Sequence, residues 1–148
     1  MADVSVLRRD FRQLPMVTLD IISRAHKEVL IVTRSFTWVG DDVVKVLSEL
    51  KGRGVEIRII GRFGEEGKAA IRHLLEARIP VRLHEFAGEN RFMIIDGQEL
   101  HFAIREPLKP TVRYYIGIRI DDVSSAAAMK AYVFEEIWRE AEEASYRL

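Results

Sequence analysis

The sequence contains no cysteine in its 148 residues. That excludes disulfides and cysteine-based zinc sites, and it is compatible with a reducing compartment, so cytoplasmic placement is the expectation. Side-chain amides are nearly missing too: Gln13, Asn90 and Gln98 are all there are. With 31% charged residues, this scarcity fits a thermophile. Net charge is also lacking, because 23 Lys and Arg balance 23 Asp and Glu. A balanced chain exerts no global pull on nucleic acid or anionic lipid, which leaves only a local basic patch for such a role. No apolar run approaches the length of a membrane span. The opening MADVSVLRRDFRQLP has no apolar signal-peptide core, so no membrane partner is expected. His26, His73, His84 and His101 stand at no metal-ligand spacing, and neither metal nor cofactor is expected.

What is present is a regular alternation of strand and helix signals. Residues 1–14 read as an N-terminal extension to one domain, with a small basic run, LRRDFR (7–12). Leu14, Val17, Ile21 and Ala25 recur at helical spacing behind Pro15, predicting a helix over 15–26. EVLIVT (28–33) is short and β-branched, hence a strand buried on both faces. Asp41 can cap a helix bearing Val43, Val44, Leu47 and Leu50 that stops at Gly52 and Gly54. VEIRII (55–60) is the next strand, residues 65–78 the next helix, and IPVRL (79–83) a third strand. RFMII (91–95), Asp96-Gly97 and ELHFAI (99–104) form a hairpin signature. VRYYIGIRI (112–120) alternates, with Val112, Tyr114, Ile116, Ile118 and Ile120 on one face. Asp122 or Ser124 can cap a final helix carrying Phe134 and Trp138 as core residues, with EEIWREAEEA (135–144) as its solvated face. The order predicts an α/β sandwich, a mixed sheet of about six strands with helices on both faces.

These elements carry candidate site residues. Arg34 and Ser35 follow the first predicted strand and Arg62 the second, beyond the carboxyl ends where open α/β sheets collect ligands. They form either the cationic lip of a pocket for a polar or anionic ligand, or solvated loop arginines. Glu89 and Arg91 are a ligand-binding pair or an ion pair in a turn. Asp96 is a functional carboxylate or simply the hairpin turn. His101 faces a pocket with Arg91 or is a satisfied strand histidine. Arg105 and Glu106 complete the candidates.

The element order, together with TRSFTW (33–38), GVEIRII (54–60), IPVRL (79–83) and RFMIIDG (91–97), resembles the phospholipase D-like superfamily in its single-motif form, over residues 15–145. Active members carry His-x-Lys-x-x-x-x-Asp-Gly. Aligned on Asp96-Gly97, the His position is Glu89 and the Lys position is Arg91. The Gly-Ser-x-Asn stretch falls on Ala103, Ile104, Arg105 and Glu106, and a further acidic position falls near Tyr114 and Tyr115. In the family one His attacks phosphorus and another protonates the leaving oxygen, work suited to imidazole. His84 and His101 lack the following Lys, so neither rebuilds the motif. A carboxylate at the nucleophile position therefore implies a catalytically inactive member and no enzyme. The resemblance implies a homodimer, because such members join two half-sites. It is also similar to the effector and dimerisation domain of TrmB-type archaeal transcription regulators. This suggests a regulatory or small-ligand-binding module that works with a DNA-binding protein partner. The alternatives are a phosphodiesterase or nuclease with altered active-site residues, or a non-catalytic nucleic-acid-binding protein.

Overall fold

The computed structural model describes residues 2–87, 91–106 and 113–148. Eight strands form one sheet in the order β1-β7-β6-β5-β2-β3-β4-β8. In chain order the elements are β1 (Asp3–Asp10), α1 (Leu14–Ser23), β2 (Glu28–Thr33), α2 (Asp41–Gly52), β3 (Glu56–Gly61), α3 (Lys68–Glu76) and β4 (Val81–Leu83). The hairpin β5 (Phe92–Ile95) and β6 (Glu99–Arg105) follows, then β7 (Tyr114–Asp121) and α4 (Val123–Met129). A π-helical turn (Lys130–Phe134), α5 (Glu135–Glu140) and the short β8 (Glu142–Glu143) end the sheet and its helices. β2, β3 and β4 run parallel through helical crossovers, and the remaining pairings are antiparallel. This is the mixed α/β sandwich that the pattern predicts.

Two strands were not predicted. The segment read as an extension is β1, paired with β7 from Asp3 opposite Asp121 to Asp10 opposite Tyr114. It is an edge strand, and Val4, Val6 and Leu7 remain exposed. An edge with little burial imposes no clean alternation on its sequence, so periodicity cannot find it. β8 has only two residues. It pairs Glu143 with Arg82 and Glu142 with Leu83, and the Arg82–Glu143 ion pair spans 3.3 Å. The acidic run expected on one helix therefore divides between α5 and a sheet edge.

Strand alternation sorts the core into two clusters. Val29, Ile31, Ile57, Ile59, Val81, Leu83 and Ile95 pack against Ile22 of α1, Val43, Leu47 and Leu50 of α2, and Ile71 and Leu74 of α3. We call this the front face. Leu30, Val32, Ile60, Phe92, Ile94 and Leu100 point to the back, against Ala126 of α4 and Phe134. β2 is thus buried on both faces, as its uninterrupted apolar run implies. Phe134 stacks on Trp138 with centroids 6.0 Å apart, confirming their core role. Asp122 caps α4, its carboxylate accepting the Ser125 N–H at 3.0 Å.

The β5–β6 turn is formed by Asp96 and Gly97, both in the left-handed region with φ of 57° and 64°. That is the demand of a type I′ hairpin, and Asp-Gly meets it. Asp96 is therefore no ligand residue, contrary to its candidacy. Its carboxylate accepts the backbone N–H groups of His26 (3.1 Å), Lys27 (2.7 Å) and Glu28 (3.0 Å). Desolvation pushes this carboxyl up, but those three hydrogen bonds and the His26 ring outweigh it and hold it below the ordinary carboxylate range.

A carboxylate with a depressed pKa contributes stability above the unfolded carboxylate range and loses it as the pH falls through the folded value. Asp96→Ala should cost about 2–3 kcal/mol in urea unfolding at pH 7, because three N–H groups lose a charged acceptor. The difference between wild type and Asp96→Asn should shrink as the pH falls below about 4.

Candidate functional site

The front face of β1, β7, β6 and β5 is not filled by side chains. Between it and α1 lies a cavity of about 240 Å³. Its floor follows from the register. Arg9 pairs with Tyr115 and Tyr115 with Arg105, so these three share a face in one cross-strand row. Leu7, Gly117 and Ala103 make the next row, and Ser5, Arg119 and His101 the third. Arg91 and Met93 line the same cavity from the neighbouring strand position. Val17 and Ile21 of α1 form the roof.

One end of the cavity is cationic. Arg91 is half-buried at the start of β5. Desolvation, then repulsion from Arg105 and Arg34, pushes its guanidinium below the ordinary arginine pKa. Arg105 is lowered likewise, by desolvation and then by Arg34 and Arg113. Among the described residues no carboxylate pairs with Arg91, Arg105 or Arg34. Beside them the Tyr115 hydroxyl is buried without a hydrogen-bond partner among the described residues. Burial raises its pKa, against the pull of Arg9 and Arg91, so at neutral pH it is a phenol with a proton to donate. Phe11 meets the Tyr115 ring edge-on at 6.2 Å, and the Arg105 guanidinium lies 4.7 Å from the Phe11 centroid. Thr33 closes this end. Its hydroxyl donates to the Ser35 carbonyl at 2.8 Å and accepts the Trp38 indole N–H at 2.9 Å, which fixes the loop that carries Arg34.

The other end holds an imidazole. His101 is buried, and its Nε2 lies 3.0 Å from Glu99 Oε1. Arg119 Nε approaches the same oxygen at 3.4 Å. Desolvation lowers the His101 pKa, and Glu99 opposes it without prevailing. The ring is therefore neutral at pH 7 and able to take up a proton.

The candidate residues separate accordingly. Arg91 and His101 line the cavity; Arg34 and Arg105 are exposed, lie near enough to Arg91 to repel it, and do not line the cavity. Ser35 serves the loop, with its carbonyl bound to Thr33 and its hydroxyl 3.0 Å from Thr37 Oγ1. Glu106 is excluded from the site because it holds Arg8 in a two-point contact at 2.7 and 3.2 Å. It alternates to the opposite face from Arg105. Arg62 is exposed and does not reach the cavity. Asp96 lies at the far end of β5. Glu89, and with it the expected pair with Arg91, lies outside the described residues. Sequence reasoning missed Arg9, Tyr115 and Arg119. The alternation in 112–120 selects Tyr114 and the isoleucines, which leaves the other face of β7 looking incidental. Only the pairing of β1 with β7 shows it to be a cavity floor.

The site is thus a cavity at the edge of a mixed α/β sheet, with guanidiniums and a phenol at one end. The family model for the cardiolipin synthase PLD-like domain matches residues 18–136, so the chain belongs to that phospholipase D-like family. Among solved structures it is similar to the phospholipase D family member Nuc from Salmonella typhimurium, with a TM-score of 0.74 and 18% identity over 97% of this chain and 98% of that one. NucT from Helicobacter pylori gives 0.72 and 18%, over 97% and 99%. The archaeal chromatin protein TrmBL2, whose structure shows a novel mode of DNA binding, gives 0.69 and 22%, over 95% of this chain and 53% of that one. At such identities the likenesses show the fold. No curated protein matches the chain. Among the described residues no helix is long and apolar enough to cross a membrane.

The expectation that the chain is not an enzyme is corrected by these findings. The family it belongs to is described by an enzyme, cardiolipin synthase. The solved structures of this fold include a phospholipase D family member and the phosphatidylserine synthase of Haemophilus influenzae, the latter at a TM-score of 0.63 and 15% identity over 94% of this chain and 39% of that one. The departures from the active motif at Glu89, at Arg91, over 103–106 and near Tyr114 and Tyr115 do not outweigh a family match over most of the chain.

Arg91 is held against desolvation and like charge, so it serves function at the expense of stability. Arg91→Met keeps the packing of the aliphatic stem and removes the charge. It should raise stability by about 1 kcal/mol in urea unfolding; millimolar phosphate should raise the melting temperature of the wild type and leave that of the variant unchanged.

Proposed function

We propose that the chain acts on a phosphodiester, seating the phosphate on Arg91, Arg34 and Arg105. The observation that carries this reading is the half-buried Arg91 guanidinium, which has two cationic neighbours and no carboxylate partner among the described residues. An anion is what such a cluster lacks. The resemblance puts Arg91 where active relatives hold the phosphate with a lysine, and arginine offers a planar two-point grip in its place.

The acid–base candidate of the proposed reaction is His101, two cross-strand rows along from Arg105 and in the same cavity as Arg91, so the diester would have to reach from the arginine seat to the imidazole. It lines the same cavity, is oriented by Glu99, and is neutral at pH 7. In hydrolysis, water attacks phosphorus as its proton passes to the imidazole. The new oxygen–phosphorus bond forms, the ester bond breaks, and the alkoxide leaves with a proton returned by the medium. The relatives' names support the bond class: a phospholipase D family member, a cardiolipin synthase model and a phosphatidylserine synthase.

A second reading, nucleic-acid binding through the phosphate backbone, is favoured by the exposed side of the cluster. Arg34, Arg105 and Arg113 are all exposed and close enough to repel one another. The association constant would then fall with salt, with a slope of roughly −2 to −3 on logarithmic axes for three phosphate contacts.

Hydrolysis of bis(p-nitrophenyl) phosphate and of a single-stranded oligonucleotide tests the first reading. The wild type should turn over the diester, and Arg91→Met and His101→Ala should each lower the rate by roughly 100-fold. The reaction needs neutral imidazole and burial depresses the His101 pKa. The rate should therefore persist below pH 6.5, the ordinary value for histidine, and fall only at more acidic pH. No turnover of either substrate would remove the reading. A salt-dependent gel shift in that case would leave the second.

A further inference from the structure

The cavity is walled largely by Leu7, Val17, Ile21, Ile31, Met93 and Ala103, although Ser5, Thr18 and the Asp20–Arg24 pair also line it. We infer that it takes a single-chain organic anion, its head group on Arg91 and the Tyr115 hydroxyl and its apolar chain lying beneath α1. The inference rests on the reading of the arginine cluster as an anion seat, and it adds what the anion carries.

Three observations support it. The volume of about 240 Å³ exceeds the ~150 Å³ of dry apolar cavities that take up benzene. The floor is made shallow by Ala103 and Gly117, small residues in the row directly beyond Tyr115 and Arg105. A Cβ at Gly117 would meet nothing closer than the Tyr115 ring at 3.5 Å and the Leu7 carbonyl at 3.7 Å, so backbone sterics do not demand the glycine there. The Tyr115 hydroxyl, on a side chain only 2% exposed, is orphaned among the described residues where the charged end meets the apolar wall. A buried donor of that kind is satisfied by a ligand acceptor.

A nucleic-acid strand fits this wall poorly. Its phosphate is flanked on both sides by sugars whose oxygens would be left without partners against Val17, Ile21 and Met93. An alkyl chain has no such requirement, and each methylene buried strengthens binding. Carboxylate and phosphate monoester are both heads that two guanidinium nitrogens and a phenol can hold.

Isothermal titration of the whole chain with decanoate, decyl phosphate, acetate, inorganic phosphate and 1-decanol tests this. Decanoate should bind at least tenfold tighter than acetate, and decyl phosphate at least tenfold tighter than phosphate. The tighter of the two long-chain anions identifies the head group. Decanol should bind at least tenfold more weakly than either. Gly117→Leu should bring decanoate down to the affinity of acetate. Ala103→Leu serves the same purpose if circular dichroism shows the first variant to be unfolded. Decanoate no tighter than acetate, with phosphate still bound, would overturn the inference and leave the anion seat standing. Decanol as tight as decanoate would also overturn it, as would a chain-length advantage that survives both folded variants. If no anion binds at all, the seat and the inference fall together.

Discussion

The carboxylate of Asp96 holds three successive backbone N–H groups at the start of β2, and the geometry of the site depends on that clasp. β5 pairs antiparallel with β2, with Ile95 opposite Val29 and Phe92 opposite Val32. A slip of one residue would exchange the faces of β5. Phe92 and Ile94 would leave the back cluster, and Arg91 would turn away from the cavity. By tying the turn of the β5–β6 hairpin to residues 26–28, Asp96 fixes the register from one end. The guanidinium at the other end then emerges beneath α1. A residue outside the cavity thus helps to decide where Arg91 emerges.

The consequence is a cluster that is unfavourable by itself. Burial and two like charges weaken Arg91, and among the described residues only Tyr115 opposes them, without prevailing. Contrast Arg8, on the opposite face of the same sheet edge. It holds Glu106 at two points and lies 3.7 Å over the Tyr114 ring. Arg58 similarly pairs with Glu135 beside Phe134 and Trp138. The chain has carboxylates to spare and uses them for structural arginines. Leaving Arg91, Arg34 and Arg105 without such partners among the described residues is the pattern of a site that waits for an anion.

The sheet was legible where burial is strong. EVLIVT, the Asp-Gly hairpin and the three crossover helices follow from apolar period and turn chemistry, because a two-sided core or a left-handed turn leaves few alternatives. The edges were not legible. β1 buries too little for a pattern, and β8 is too short for one. That failure also hid the site, since Arg9 and Tyr115 meet only through the β1–β7 pairing. Motif reasoning had the opposite weakness. It singled out Arg91, which lines the cavity. It then read the lost motif positions as loss of function without placing His101, which the fold brings to the same cavity from the adjacent strand. One-dimensional spacing records which residues follow each other and says little about which strands are neighbours.

Tyr115 shows how far that limit reaches. The resemblance puts a further acidic position near Tyr114 and Tyr115, and the phenol of Tyr115 looks like a simple loss. In the folded chain it stands between Arg9 and Arg105 in one row, with burial raising its pKa and the neighbouring cations lowering it. A carboxylate in that place would neutralise the arginines and compete with an incoming anion. A phenol leaves their charge intact and adds a neutral donor at the boundary with the apolar wall. On the inference drawn above, a phenol in place of an acid would favour an anion with an apolar body over a charge-balanced polar group. The change at Tyr115 and the open space over Gly117 and Ala103 point the same way, and both follow from which residues β7 and β6 turn toward α1.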